Sequence, residues 1–351
     1  AELLVRVPAE KTQTRKWAFP FRGVLLSLGS LACLILLVFF GGSFLLPTWT
    51  AGVTHGELNF LYVSFHGDGS VTTPVPKYGV NQVLRLNLED LDAKPEPVLD
   101  WASSPTPPRM LRDMKLLKTG SLFVAQGLKF DSAILQYGPC DSMGKRQFVK
   151  EYRSPMLVHP YALTFIGDTL YASTQDSGTV MSFDVGAADK LSSADRIHFN
   201  LHGDFRYRPG ITYRGIASYK ECLYLSVTEM DVVAVICNNL THVSHRIPVR
   251  HPIGLLVDEE HQRLYIASPT KQKHKPGEIA VWDLESRRFR HSLTHDGMKH
   301  PTNMVTRGTS LIVASQTQKA ILEFNRTTGA FKRTLFQGLP DAPENIVLSP
   351  C

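Results

Sequence analysis

The 351-residue chain has no P-loop, no G-x-S-x-G elbow and no G-x-G-x-x-G segment. It therefore lacks the local signatures of phosphate-cradling loops and serine-nucleophile turns. Tryptophan is rare, with four residues, and the single Trp-Asp pair, Trp282-Asp283, has no accompanying Gly-His set. That makes a repeat built on the Trp-Asp signature the weaker alternative, a lone pair being more often an ordinary strand end. Charged residues make up only 20% of the chain, with a net of +6. Half of that net lies in residues 1–22, where five cations face two acids. The remainder is too diffuse for a nucleic-acid footprint. Cysteine is limited to Cys33, Cys140, Cys222, Cys237 and Cys351.

Long apolar runs are also scarce, with one exception. Gly23 to Leu46 is a stretch of 24 residues without a charge. At about 1.5 Å per residue, a helix of that length crosses a bilayer. A cleaved leader has a shorter apolar region of about 7–15 residues, so the segment is predicted to be a retained signal anchor. The basic residues before it belong on the cytoplasmic side. The expected order is a cytoplasmic tail (1–22), a single transmembrane span (23–46), a linker (47–57) and a lumenal or extracellular domain (58–351).

That domain is repetitive. Strands of the form Leu-Tyr-Val-Ala-Ser start at Leu61, Leu122, Leu170, Leu223, Leu264 and Leu311. Before several of them stands a His-Pro step, at His159, His251 and His300, followed by an apolar strand. After them comes a third strand such as Glu278-Ile-Ala-Val-Trp-Asp, then a weaker fourth. Gly, Pro, Asp and Asn punctuate the pieces, as they do short strands. Repeats of roughly 40–60 residues built only of strands are propeller blades. The first repeat lacks an inner strand, and Pro343-Glu-Asn-Ile-Val-Leu-Ser-Pro has that pattern. The expected fold is an all-β, six-bladed β-propeller closed by the C-terminal strand.

The His-Pro-x-Gly opening at His251 and the Leu-Tyr-x-Ala second strands resemble the NHL-repeat class of six-bladed propellers. A membrane anchor with six blades is also similar in architecture to the strictosidine-synthase-like proteins. The second resemblance implies hydrolase or lyase chemistry, and in calcium-dependent six-bladed hydrolases channel Asn and acidic residues hold the metal.

Four cysteines lie past the span, enough for two disulfides in a non-cytosolic compartment. Three pairings are possible. Cys222 opens one strand and Cys237 closes the next, so a turn at Glu229-Met230 places them opposite each other. Cys140 and Cys351 fall at strand ends on one rim of neighbouring blades. Sequons at Asn239 and Asn325 mark loops expected to carry glycans.

The rim from which inner strands start is here called the top. Its candidate binding residues are His66, Asp68, Lys77 and Tyr78 in the loop 66–81, Lys271 and Lys273 in a basic hairpin, and His159, His251 and His300. For the three His-Pro histidines the repetition favours a packing role, the step ending one blade and starting the next. Asn303 and Asn345 take equivalent inner-strand places and are the candidate calcium ligands; otherwise no cofactor is expected. No nucleophile, base and orienter occur together, so no catalytic residue is assigned. Two functions follow as expectations, the first favoured over the second. One is a single-pass glycoprotein acting as an interaction platform for a protein or glycan, or as an accessory subunit of a membrane assembly. The other is a hydrolase or lyase with a channel metal. An acidic cluster with Asn in the channel favours the enzyme, whereas a blocked or apolar channel favours the platform.

Overall fold

The second strand of each repeat reads as an unbroken apolar run because it is covered on both faces. In the computed structural model, which describes residues 58–67, 81–105, 107–185, 196–199, 211–237, 240–270 and 275–351, these strands are buried nearly throughout. A strand sandwiched between layers loses the polar alternation of a half-exposed one. The outer strands β15 (His242–Pro248), β19 (Arg288–Thr294) and β23 (Phe331–Phe336) are mostly exposed and carry the charges.

Among the described residues, twenty-four strands form six four-stranded sheets. Blade 1 is β24 (Pro343–Ser349), β1 (Phe60–Phe65), β2 (Val83–Asn87) and β3 (Glu96–Pro97). Blade 2 is β4 (Leu111–Leu116), β5 (Leu122–Gln126), β6 (Ala133–Cys140) and β7 (Arg146–Tyr152). Blade 3 is β8 (Pro160–Ile166), β9 (Thr169–Thr174), β10 (Thr179–Asp184) and β11 (Arg196–Phe199). Blade 4 is β12 (Tyr213–Tyr219), β13 (Cys222–Val227), β14 (Val232–Cys237) and β15. Blade 5 is β16 (Leu255–Asp258), β17 (Arg263–Ser268), β18 (Glu278–Asp283) and β19. Blade 6 is β20 (Pro301–Arg307), β21 (Ser310–Ser315), β22 (Ala320–Asn325) and β23. Most second strands begin one residue before the leucine that marks them, and β3 is only two residues long.

The ring closes as the sequence pattern requires. Antiparallel pairing sets Leu61 opposite Leu348 and Val63 opposite Ile346. Both disulfides have the expected partners: Cys140–Cys351 with Cα atoms 6.7 Å apart, and Cys222–Cys237 at 4.3 Å. The register Leu223↔Ile236 puts the second pair at the facing ends of β13 and β14. The turn between these strands is a 3-10 segment, Thr228–Met230, followed by left-handed Asp231.

Blades pack through apolar seams. Tyr62, Leu111, Met114, Val124 and Tyr137 fill the one between blades 1 and 2. Leu264, Ile266 and Ala217 belong to the one between blades 4 and 5. Each large side chain so buried contributes about 1.5–3 kcal/mol. Near the axis the inner strands approach each other directly. The Gly215 N–H donates to the Ile253 carbonyl at 2.7 Å. A Cβ on Gly215 would lie 2.1 Å from that oxygen, and one on Gly254 1.9 Å from the Thr302 carbonyl oxygen. Glycine is required at both.

The expected tail, span and linker (1–57), together with Asp68, Lys77, Tyr78, Asn239, Lys271 and Lys273, lie outside the described residues. Among the described residues no helix is long and apolar enough to cross a membrane. Residue 58 joins the sheet at the bottom, the rim that also carries all four disulfide cysteines and Asn325. Asn325 ends β22, and its side-chain oxygen accepts the N–H groups of Thr327 and Thr328.

Candidate functional site at the channel mouth

Each inner strand starts at the top, and two consecutive residues at its start, or just before it in blade 5, take matching places in the six repeats. The upper layer is Tyr161, Thr302 and Glu344, which line the channel, with Arg112, Arg214 and Ile253 at the matching positions. The lower is Asp113, Ala162, Gly215, Gly254, Asn303 and Asn345. A backbone bulge follows the first residues of β4, β8, β12 and β20, which lets neighbouring residues share one direction.

The lower layer staples blades together. Asp113, on β4, accepts the Leu163 N–H of blade 3 at 2.6 Å and its neighbour's Met114 N–H at 2.9 Å. It also accepts from Asn345 Nδ2 of blade 1 and faces Lys115 Nζ at 3.4 Å. Burial pushes the Asp113 carboxyl up, against Lys115 and the two peptide N–H groups. Asn345 Oδ1 in turn accepts the Met114 N–H at 3.1 Å. The channel cavity at this level is about 20 Å³, room for about one water.

The upper layer is a cluster of opposite charges and imidazoles. The Arg112 guanidinium lies 3.4 Å from Glu344 Oε2 and 2.6 Å from His66 Nδ1, and His66 Nδ1 is 3.2 Å from the same carboxylate oxygen. Gln316 Nε2 donates to Glu344 Oε2 at 2.6 Å. Burial pushes the Glu344 carboxyl up, but the His66 contact, the Arg112 charge and the Tyr161 hydroxyl outweigh it and hold the pKa down at about 2. Glu344 is thus a fixed negative charge. Arg214 lies over the Tyr161 ring, 5.6 Å from its centroid. The Nε atoms of Arg112 and Arg214 are buried with no hydrogen-bond partner.

His159 is the most chemically poised group. Arg112 Nη2 donates to its Nε2 at 3.3 Å, and its Nδ1 lies 3.2 Å from Asp176 Oδ2. A guanidinium has only donors, so Nε2 carries the lone pair and Nδ1–H donates to Asp176. Burial lowers the His159 pKa, Arg112 lowers it further, and Asp176 and Glu344 oppose them. The ring is neutral at pH 7. Its place is set by the backbone: His159 adopts φ 53° before Pro160, with its N–H on Ser132 Oγ at 2.9 Å. Gly127 packs against both partners, because a Cβ there would lie 2.8 Å from Arg112 Cγ and 2.9 Å from His159 Cδ2.

The structure therefore assembles His66 and His159 around Arg112 and Glu344, with His300 nearby. His300 has φ 54° and a pKa lowered by burial, with Glu344 opposing and Arg214 and two histidines adding to it. The packing reading of the His-Pro steps also holds for the main chain, since the carbonyls of His159 and His300 accept the N–H groups of Gln175 and Gln316. His251 shares the left-handed turn, with its N–H on Asp231 Oδ1 at 2.7 Å. Arg112, Tyr161, Asp176, Arg214 and Gln316 were not singled out by sequence. Four of the upper layer stand near residues that were: Tyr161, Ile253 and Thr302, each two residues after a His-Pro histidine, and Glu344 next to Asn345.

The residues do not fit a calcium ion. Calcium takes six to eight oxygen ligands. Here each channel carboxylate already faces a cation, and Asn345 is spent on Asp113 and Met114. Asn303 Oδ1 is the one unpartnered side-chain oxygen among these candidates. At the opposite end, Asp258, Glu260 and His261 have metal-like spacing. There the Arg326 guanidinium binds both Asp258 oxygens and reaches Glu260 at 2.8 Å, a pin between blades 5 and 6.

No family model matches the chain, and no curated protein matches it in sequence. Solved structures share the fold. A chain of a Nidogen/Laminin complex aligns with TM-score 0.57 and 11% identity, covering 82% of this chain and 96% of that one. A candidate 6-phosphogluconolactonase of Bacteroides fragilis aligns at 0.54 and 13%, covering 83% and 97%. The periplasmic gluconolactonase of Pseudomonas aeruginosa aligns at 0.52 and 15%, covering 77% and 80%. At these identities the likeness establishes one thing, a β-propeller fold.

Proposed function

We propose that the chain is a membrane-tethered, non-cytosolic propeller that hydrolyses small carboxylic esters or lactones at the top mouth of its channel. The observation that carries this reading is His159 held between Asp176 and Arg112. A base whose tautomer is fixed by a carboxylate, beside a cation that can hold an oxyanion, is the minimum for hydrolytic acyl transfer. The fold shared with the two gluconolactonase-type neighbours is compatible with it.

In this reading the substrate carbonyl takes the hydrogen bond of Arg112, which frees the His159 Nε2 lone pair. Nε2 accepts a proton from water as the hydroxide adds to the carbonyl carbon. Arg112 carries the charge that forms on oxygen. Collapse breaks the acyl–oxygen bond, and the leaving alkoxide takes the proton back from Nε2. Asp176 keeps the Nδ1 proton in place throughout. Arg214, whose Nε has no partner among the described residues, favours esters or lactones that also bear an acidic group. No metal step is involved.

The test is hydrolysis of a series of aliphatic lactones and esters by the full chain. His159→Ala should lose about 10²–10⁴-fold with unchanged circular dichroism. Equal hydrolysis by the variant, or none by the wild type across the series, removes the hydrolase reading.

The interaction-platform reading is favoured by the narrow channel, about 20 Å³, and by exposed apolar side chains on the same face. Phe130, in the hairpin between β5 and β6, is 93% exposed, and nearby Met156 is 41% exposed. The Nidogen/Laminin neighbour is one propeller-like chain from a protein complex. Under this reading a partner protein covers Phe130, and Phe130→Ser abolishes its recovery while leaving thermal unfolding unchanged.

A further inference from the structure

A second concavity lies away from the channel, near the bottom rim between blades 4 and 5. Its volume is about 380 Å³, within the range of small-ligand sites. Tyr219, Tyr224, His245 and Trp282 line it, with the Cys222–Cys237 disulfide in its wall. His245 and Trp282 rings are 6.3 Å apart. Lys220 and Arg287 stand at its edge, and no carboxylate lines it.

The two cations occupy unusual backbone. Lys220 and Arg287 are both left-handed, each with φ 55°. Each sits at a hairpin tip where some repeats use glycine and others do not, since Gln262 in blade 5 (φ 51°) and Leu240 in blade 4 (φ 57°) are also left-handed there. Lys220, between the first and second strands of blade 4, matches Gly167 in blade 3 (φ 56°) and Gly308 in blade 6 (φ 53°). Arg287, between the third and fourth strands of blade 5, matches Gly329 in blade 6 (φ 74°). A residue with a Cβ is disfavoured in that conformation by about 1–2 kcal/mol. Two cations meeting at one aromatic cleft, with no carboxylate among its described lining, point to an anionic ligand.

The rings define the rest of that ligand. Flat aromatic faces bounded by Tyr hydroxyls, an indole N–H and an imidazole suit a body with an apolar C–H face and a hydrogen-bonding rim. A sugar ring has that character, and Arg287 and Lys220 add recognition of an acid group on it. We infer that the cleft between blades 4 and 5 is a binding site for an acidic saccharide, of the uronic-acid class. It is independent of the channel mouth and of whether that mouth hydrolyses anything.

The experiment is calorimetric titration of the full chain with tri-galacturonate and with its fully methyl-esterified, neutral form. Saturable binding of the acid form, at least tenfold tighter than the ester, is expected. Lys220→Gly with Arg287→Gly places a residue suited to the left-handed turn, as blade 6 has at both hairpins, so folding should be kept or improved while the preference for the acid form disappears. Trp282→Phe, which keeps an aromatic core contact, should weaken binding about tenfold, and His159→Ala should leave it unchanged. No saturable binding, equal binding of acid and ester, or a glycine double variant that binds the acid as wild type does would each overturn the inference.

Discussion

The Tyr62 hydroxyl donates to the carbonyl of Cys351 at 2.6 Å, across 289 residues of sequence. Tyr62 is in β1 and Cys351 follows β24, so the contact joins the two strands that close the ring. The disulfide Cys140–Cys351 extends the tie to blade 2. Arg146, 1% exposed, lies over the Tyr62 ring and donates to the Gly138 carbonyl at 2.9 Å.

Removing that tie should matter more than removing the other disulfide. Cys140–Cys351 spans 211 residues, whereas Cys222–Cys237 spans 15 and lies within one already paired hairpin. Loop-closure entropy grows with the span, and loss of a native disulfide costs about 2–5 kcal/mol. Cys140→Ser with Cys351→Ser should lower the unfolding temperature clearly more than Cys222→Ser with Cys237→Ser. Differential scanning calorimetry on both variants decides it, and a larger effect from the short-span pair would contradict the closure account.

The axis predicts its own intolerance. A Cβ at Gly215 or Gly254 meets a backbone carbonyl, not a side chain that can rotate away. Overpacking of this kind costs about 1–3 kcal/mol and sometimes more. Gly215→Ala and Gly254→Ala should each reach the upper end of that range, measured by urea denaturation. Gly167→Ala, where nothing lies within 4 Å but φ is 56°, should cost about 1 kcal/mol from backbone strain alone. Equal costs at all three glycines would show that close approach of inner strands does not hold the ring.

The contrast between these features marks what the sequence could reveal. Blade number, ring closure and both disulfides follow from local strand patterns plus counting, because a repeat fixes which ends meet. The channel mouth does not, because its members come from six strands far apart in sequence. His159 was visible as a repeat residue, but its chemical state depends on Arg112 from the preceding blade and on Asp176 from its own hairpin. Asp113, Asn303 and Asn345 were visible as polar residues in inner strands. Their pairing with Lys115, Met114 and Leu163, which takes most of that set away from a metal, needed the register of neighbouring blades. The cleft beside Trp282 was hidden because Lys220 and Arg287 read as ordinary exposed charges until the packing of blades 4 and 5 set them at one concavity with the aromatic rings.

Hydrolysis at the channel mouth should have a defined pH profile. The His159 pKa lies below the ordinary 6.5, through burial first and then Arg112. The active form is the neutral base, so kcat/KM should fall on acidification with an apparent pKa below 6.5 and be level near pH 7. Asp176 raises this pKa. Asp176→Asn should therefore move the acidic limb to lower pH while lowering kcat, because the amide no longer fixes the Nδ1 proton. A limb that moves to higher pH, or that is unchanged in the variant, would place the titrating group elsewhere.

Glu344 supplies a stability test with an opposite origin. Its folded pKa is about 2, against an ordinary 4.5, because the His66 contact, Arg112 and Tyr161 outweigh the burial that alone would raise it. A carboxylate whose pKa is depressed by folding contributes stability that is complete above the unfolded pKa and is lost as pH falls toward the folded one. The contribution should thus be fully present at pH 6 and decline between pH 4.5 and about 2. Glu344→Gln keeps the shape but leaves Arg112 without its carboxylate, and unmet buried charge is destabilising. The variant should be clearly less stable than wild type at pH 6, measured by chemical denaturation. The gap should narrow steadily below pH 4.5, since wild type then loses the same charge. A gap that is constant from pH 6 to pH 3 would show that the Glu344 charge is not what holds the mouth together.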